Sequence, residues 1–78
     1  MWSEGTIICA ETGNSYKYWV KHYENPSTDY GIDGGRISKL TIRKVGEPKD
    51  LCNYDRGWDV EPADEIKAVY ATIIGKYN

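Results

Sequence analysis

Phenylalanine is absent from this chain, histidine and methionine occur once each, and cysteine occurs only twice. Without Phe, every aromatic ring belongs to one of seven Tyr or three Trp. Each ring therefore carries a polar tip that wants a hydrogen bond or water, which favours half-buried positions and contact surfaces. Cys9 and Cys52 lie far apart and form no CxxC pair, so neither a zinc site nor a thioredoxin-like motif is indicated, and two free, partly buried thiols are expected. The longest apolar run, Ile7-Ile8-Cys9-Ala10, is too short for a signal core or a membrane span, and the opening Met1-Trp2-Ser3-Glu4 has no basic region. The expected location is the cytoplasm, away from membranes.

Catalytic groupings are equally scarce. His22 could meet Asp29 or Asp33, but one histidine beside common carboxylates seldom satisfies the geometry of a general base. Pairing Cys9 with His22 would require a strand alignment that nothing in the spacing demands. Asp29 and Asp33 lack the register of a calcium loop, and Gly34-Gly35-Arg36 is not followed by a phosphate-binding helix. The expectation is a protein that is not an enzyme and has no cofactor or metal.

The formal charge of −2 argues against a general nucleic-acid coat. Its distribution is uneven: residues 1–45 hold six Lys/Arg and five Asp/Glu, residues 46–78 four and seven. Five acids between Asp55 and Glu65 face a single base, Arg56, a run that could mimic phosphate or simply solvate a helix start.

What is present is organised around Tyr30–Ile42. Gly34-Gly35 permits positive φ or a close approach, and so predicts a turn. After it, Leu40 and Ile42 share one face while Lys39, Thr41 and Arg43 share the other, the period-2 pattern of a half-buried strand over residues 36–45. Before it, residues 25–33 are longer than a hairpin needs, and fit either a functional loop or a solvated connector. Residues 5–10 predict a first strand and residues 16–24 a second. In the second, Lys17, Trp19, Lys21 and Tyr23 alternate with Tyr16, Tyr18, Val20 and His22. Long cations seldom enter a small core, so Tyr18 and Val20 should face inward and Trp19 outward. Residues 46–56 read mostly as loop, followed by a short strand over 57–60 with Trp58 and Val60 inward. From Pro62, the residues Ile66, Val69, Tyr70, Ile73, Ile74 and Tyr77 form one apolar helical stripe. The reading is one α+β domain over residues 1–78, a three- to four-stranded antiparallel sheet with a single C-terminal amphipathic helix packed on one face.

The segments Lys17-Tyr-Trp-Val-Lys-His-Tyr-Glu, Tyr30-Gly-Ile-Asp-Gly-Gly-Arg-Ile-Ser-Lys-Leu and Tyr54-Asp-Arg-Gly-Trp-Asp resemble the signature segments of a small domain of unknown function found in bacteriophages and Firmicutes. The resemblance covers about a third of the chain and assigns no activity to any residue. It implies a cytoplasmic accessory protein borne by a phage or mobile element. With the open face, it gives the leading expectation: a non-enzymatic binding protein that inhibits a host protein of a defence system. Its binding residues would be Lys17, Trp19, Lys21, Tyr23, Tyr30, Asp33, Arg36, Lys39 and Arg43. The alternative is a homo-oligomer that sequesters a nucleotide signal, with Trp19 or Tyr30 stacking on the base and Arg36, Lys39 or Arg43 on phosphate. A weaker alternative is a nucleic-acid-binding accessory protein using the same face.

Overall fold

Alternation along the second strand decides which side of the molecule becomes its core. In the computed structural model, which describes residues 1–78, Tyr16, Tyr18 and Val20 are buried, while Lys17, Trp19 and Lys21 between them stay partly exposed. The same rule buries Leu40 and Ile42 and leaves Lys39, Thr41 and Arg43 on the opposite side. These residues belong to β2 (Ser15–His22) and β3 (Ile37–Lys44), the second and third strands of a five-stranded antiparallel sheet. The others are β1 (Trp2–Ile8), β4 (Asp50–Asp55) and β5 (Trp58–Val60). Strand order in the sheet follows chain order from β1 to β5.

Five strands correct the expected three to four. The additional strand is β4, within residues expected to be loop. Its sequence, Asp50-Leu-Cys-Asn-Tyr-Asp, has acids at both ends and an Asn inside, all poor strand formers. Cross-strand charge offsets that weakness, since Arg43 pairs with Asp50 and Lys39 with Asp55. A register shift between Ile42 and Arg43 lets two successive residues, Leu51 and Cys52, both be buried. β1 begins three residues earlier than expected and ends at Ile8, because Cys9 enters the turn and its carbonyl accepts the Gly13 N–H at 2.7 Å. The expected inward pair on β5 is corrected as well. Trp58 does meet Tyr54 edge-on at 4.9 Å and lies 5.9 Å from Tyr70, yet it remains 38% exposed, and Val60 is 39% exposed. β5 is a three-residue edge strand at the margin of what the helix covers.

The helix α1 (Lys67–Tyr77) is entered through a 3-10 turn, Asp64–Ile66, capped by Ala63, so Pro62 precedes the helix rather than starting it. Ile66, Val69 and Ile73 are buried against the sheet, with Tyr70, Ile74 and Tyr77 packed around them. Two tyrosine tips find partners across this interface. Tyr16 donates to Glu65 at 3.0 Å, and the Tyr18 and Tyr77 hydroxyls share a hydrogen bond at 3.0 Å. That shared bond, with burial, pushes the Tyr18 hydroxyl up to about 12.

The long connection between β2 and β3 is folded back on itself. Gly31 N–H donates to the Ser27 carbonyl, Ser27 N–H to the Gly35 carbonyl, and Tyr54 Oη to the Tyr30 carbonyl at 3.0 Å. Ile32 is buried in the core beneath it. The Gly-Gly pair divides its two expected uses: Gly34 takes φ +73°, and Gly35 lies directly against the Asn78 side chain. Asn78 fastens this segment to the end of α1, accepting from Ile37 N–H at 2.9 Å and donating to the Ile32 carbonyl at 3.1 Å.

Candidate functional site

Directly paired residues of an antiparallel sheet share a face, so the register fixes what stands on the side that α1 leaves bare. One row runs Trp2, Lys21, Lys39, Asp55; the next Glu4, Trp19, Thr41, Asn53; the third Thr6, Lys17, Arg43, Asp50. Trp19 lies between two cations, with Lys17 Nζ 5.1 Å and the Arg43 guanidinium 5.6 Å from its ring centre. Trp2 is 58% exposed, with Lys21 Nζ 5.9 Å from its ring. Cation–π contacts at exposed sites contribute about 0.5–1 kcal/mol each, enough to hold these flexible side chains near the rings.

Acids flank the cations. Arg43 Nε donates to Asp50 Oδ1, Lys39 Nζ lies 3.6 Å from Asp55, and Glu4 stands opposite Trp19. The Arg43 bond, joined by one from Asn53, holds the Asp50 carboxyl below its usual range. Lys17 and Lys21 have no acidic partner, so the unpaired positive charge on this face is concentrated on β2.

A second concave site lies at one end of the sheet. There a cavity of about 220 Å³ is lined by Tyr23, Ser27, Tyr30, Gly31, Arg36, Ser38 and Arg56. Arg56 holds φ +58° in the tight turn between β4 and β5, and its N–H donates to the Ser38 carbonyl at 2.9 Å. Its guanidinium rests 5.3 Å from the Tyr30 ring centre.

The nine residues expected to bind therefore separate into two groups and one outlier. Lys17, Trp19, Lys21, Lys39 and Arg43 share the open face. Tyr23, Tyr30 and Arg36 line the cavity. The expected nucleotide set, Trp19 or Tyr30 with Arg36, Lys39 or Arg43, is thereby divided between two places. Asp33 joins neither; it is exposed in a turn with φ +50°. Sequence reasoning missed Trp2, Glu4, Asp50 and Asp55 on the face, and Ser27, Ser38 and Arg56 in the cavity. The alternation of Trp2, Glu4 and Thr6 was a signal for the first two. The assembly of the cavity had none, because its residues come from a loop, a strand start and a distant turn.

The thiols and the histidine occupy other surroundings. Cys9 and Cys52 are both free and buried. Burial, and secondarily the Asp50 charge, pushes the Cys52 thiol up to about 12. Backbone and hydroxyl hydrogen bonds from Thr12 lower that of Cys9. No group of three or more His, Cys, Asp and Glu side chains is placed to hold a metal ion, and no helix is long and apolar enough to cross a membrane. His22 Nε2 lies 3.0 Å from Ser3 Oγ, and its ring lies 4.9 Å from that of Tyr77.

Burial first, and the Arg36 charge among its other causes, lowers the His22 pKa from its ordinary 6.5, so the fold favours the neutral ring. The stability this contributes is fully present above pH 6.5 and is lost as pH falls through the depressed value, because there the unfolded chain binds a proton that the folded one resists. Thermal melts should decline as pH falls below 6.5, and His22→Gln should flatten that decline. Asp50 does not confuse the comparison, since its carboxyl titrates below the ordinary 3.8.

The family model described as a domain of unknown function (DUF7678) matches residues 1–78. No curated protein and no solved structure matches the chain.

Proposed function

Because the chain belongs to the DUF7678 family, whose membership carries no activity, we propose its function from its own surfaces: a non-enzymatic binding protein that takes up another protein on the open face of its sheet. The observation that carries this reading is the one-sided cover. α1 buries one face of a five-stranded sheet, and the other presents Trp2 and Trp19 among Lys17, Lys21, Lys39 and Arg43. Trp and Arg are the residues that dominate protein interfaces when a partner desolvates them. Glu4, Asp50 and Asp55 on the same face repel a polyanion and suit a partner of mixed charge, which favours a protein over nucleic acid. The resemblance to small phage domains extends the proposal to a host defence protein, inhibited by occupation in the host cytoplasm.

The test uses Lys17→Glu combined with Lys21→Glu, because neither lysine has an ion pair to lose, whereas Arg43→Glu would set two carboxylates together. Exposed charges contribute little to stability, so the melt should move by no more than about 1 kcal/mol. Affinity for the partner recovered by native purification and identified by mass spectrometry should fall more than about tenfold. Wild-type affinity in the doubly reversed protein would reject the sheet face as the binding surface.

A further inference from the structure

The cavity at the end of the sheet has a composition unlike the face. Its lining contains two guanidiniums, two phenol rings and two hydroxyls, and no carboxylate. The three side-chain ion pairs of the protein involve Lys39, Arg43 and Lys44, so neither Arg36 nor Arg56 is neutralised by an Asp or Glu. Arg36 Nε makes only a long bond, 3.4 Å, to the Asn78 backbone oxygen. Arg56 is set from two directions, by its backbone bond to Ser38 and by the Tyr30 ring. Ser27 Oγ accepts the Tyr30 N–H at 3.1 Å, which leaves its own proton free to donate. Ser38 is buried, its hydroxyl reaching the Lys21 carbonyl at 3.5 Å, and forms part of the wall.

Two guanidiniums without an Asp or Glu partner line one small cavity, an arrangement that an anion between them would stabilise, and planar guanidiniums match the oxygens of a phosphoryl group. We propose that this cavity binds a phosphoryl dianion, held by Arg36 and Arg56 with the Ser27 hydroxyl as a further donor. Its volume is below the roughly 300–1,000 Å³ of pockets that enclose whole drug-sized ligands. It takes a phosphoryl group alone, or one whose organic remainder extends past the half-exposed Tyr23 and Tyr30 rings. The site is separate from the protein-binding face and does not depend on it.

Calorimetric titration of the intact protein tests this with three probes: inorganic phosphate, adenosine 5′-monophosphate and adenosine. Adenosine monophosphate should bind and adenosine should not. Arg36→Gln and Arg56→Gln, made singly, should each weaken binding by about tenfold or more, while Ala71→Glu, on the exposed side of α1, leaves it unchanged. Inorganic phosphate binding as well as the nucleotide assigns the site to the phosphoryl group alone; a tighter nucleotide adds the ring contacts. Both support the proposal. Failure of both phosphorylated probes to bind the folded wild-type protein overturns it, as does adenosine binding equal to that of the nucleotide, or full affinity retained in both arginine variants.

Discussion

Ile73→Asp is expected to abolish folding. Ile73 is 1% exposed and stands where α1 meets Tyr16, Tyr18 and the other inward side chains of the sheet. A carboxylate there has no cation to meet, since the core cluster consists of aliphatic side chains, tyrosines and thiols. Burying an unpaired charge, or neutralising it by a large pKa shift, costs several kcal/mol, comparable to the whole stability of about 5 kcal/mol of a small domain. The cooperative thermal transition should disappear. Ala71→Glu places an acid two residues away on the exposed side of the same helix and should change stability by only about 0.5 kcal/mol. A normal melt for Ile73→Asp would mean that the helix does not cover the sheet as described.

The second large effect is expected at Gly31, for steric rather than electrostatic reasons. A Cβ there would stand 1.9 Å from the Gly35 carbonyl oxygen and 2.7 Å from that of Ser27. Both are backbone atoms, so no rotamer change relieves the clash. Gly31→Ala must open the loop, and with it the hydrogen bonds from Gly31 to Ser27 and from Ser27 to Gly35. Ile32 then loses its seat in the core. The loss should reach about 2–4 kcal/mol in a denaturant titration, the range of overpacking and cavity effects combined. Gly34→Ala is the informative comparison. It adopts φ +73° with nothing within 4 Å of the added methyl, so its cost is conformational alone, about 1–2 kcal/mol. Equal losses for the two variants would show that the loop does not close on Gly31.

The two variants also mark what was legible in the sequence. The stripe through Ile66, Val69 and Ile73 announced a docked helix, and the lysines of β2 announced which way Trp19 points, because both are local periodicities. Gly31 announced nothing. Its need for space arises from Gly35 and Ser27, which meet it only when the loop folds. β4 stayed hidden for a related reason: Asp50 and Asp55 are poor strand residues until Arg43 and Lys39 stand beside them. The open face was half visible, as its basic strands could be read while the acids that moderate them could not. The cavity was least visible, since Arg56 reaches Tyr30 only through the turn that follows β4.

The sequential order of the sheet bears on how the molecule is assembled. Each strand from β2 to β5 pairs with its predecessor, so chain closure is entropically mild, apart from the connection of residues 23 to 36. The hairpins can form in the order in which the chain is made. The helix has no such independence, for its buried residues are the lid of a core laid down earlier. Until Ile66 through Ile73 arrive, Tyr16, Tyr18, Val20, Leu40 and Ile42 form a bare apolar sheet, the species most exposed to aggregation. A helix made after all five strands is thus the one that renders them safe, and the yield of folded protein depends on how promptly it docks.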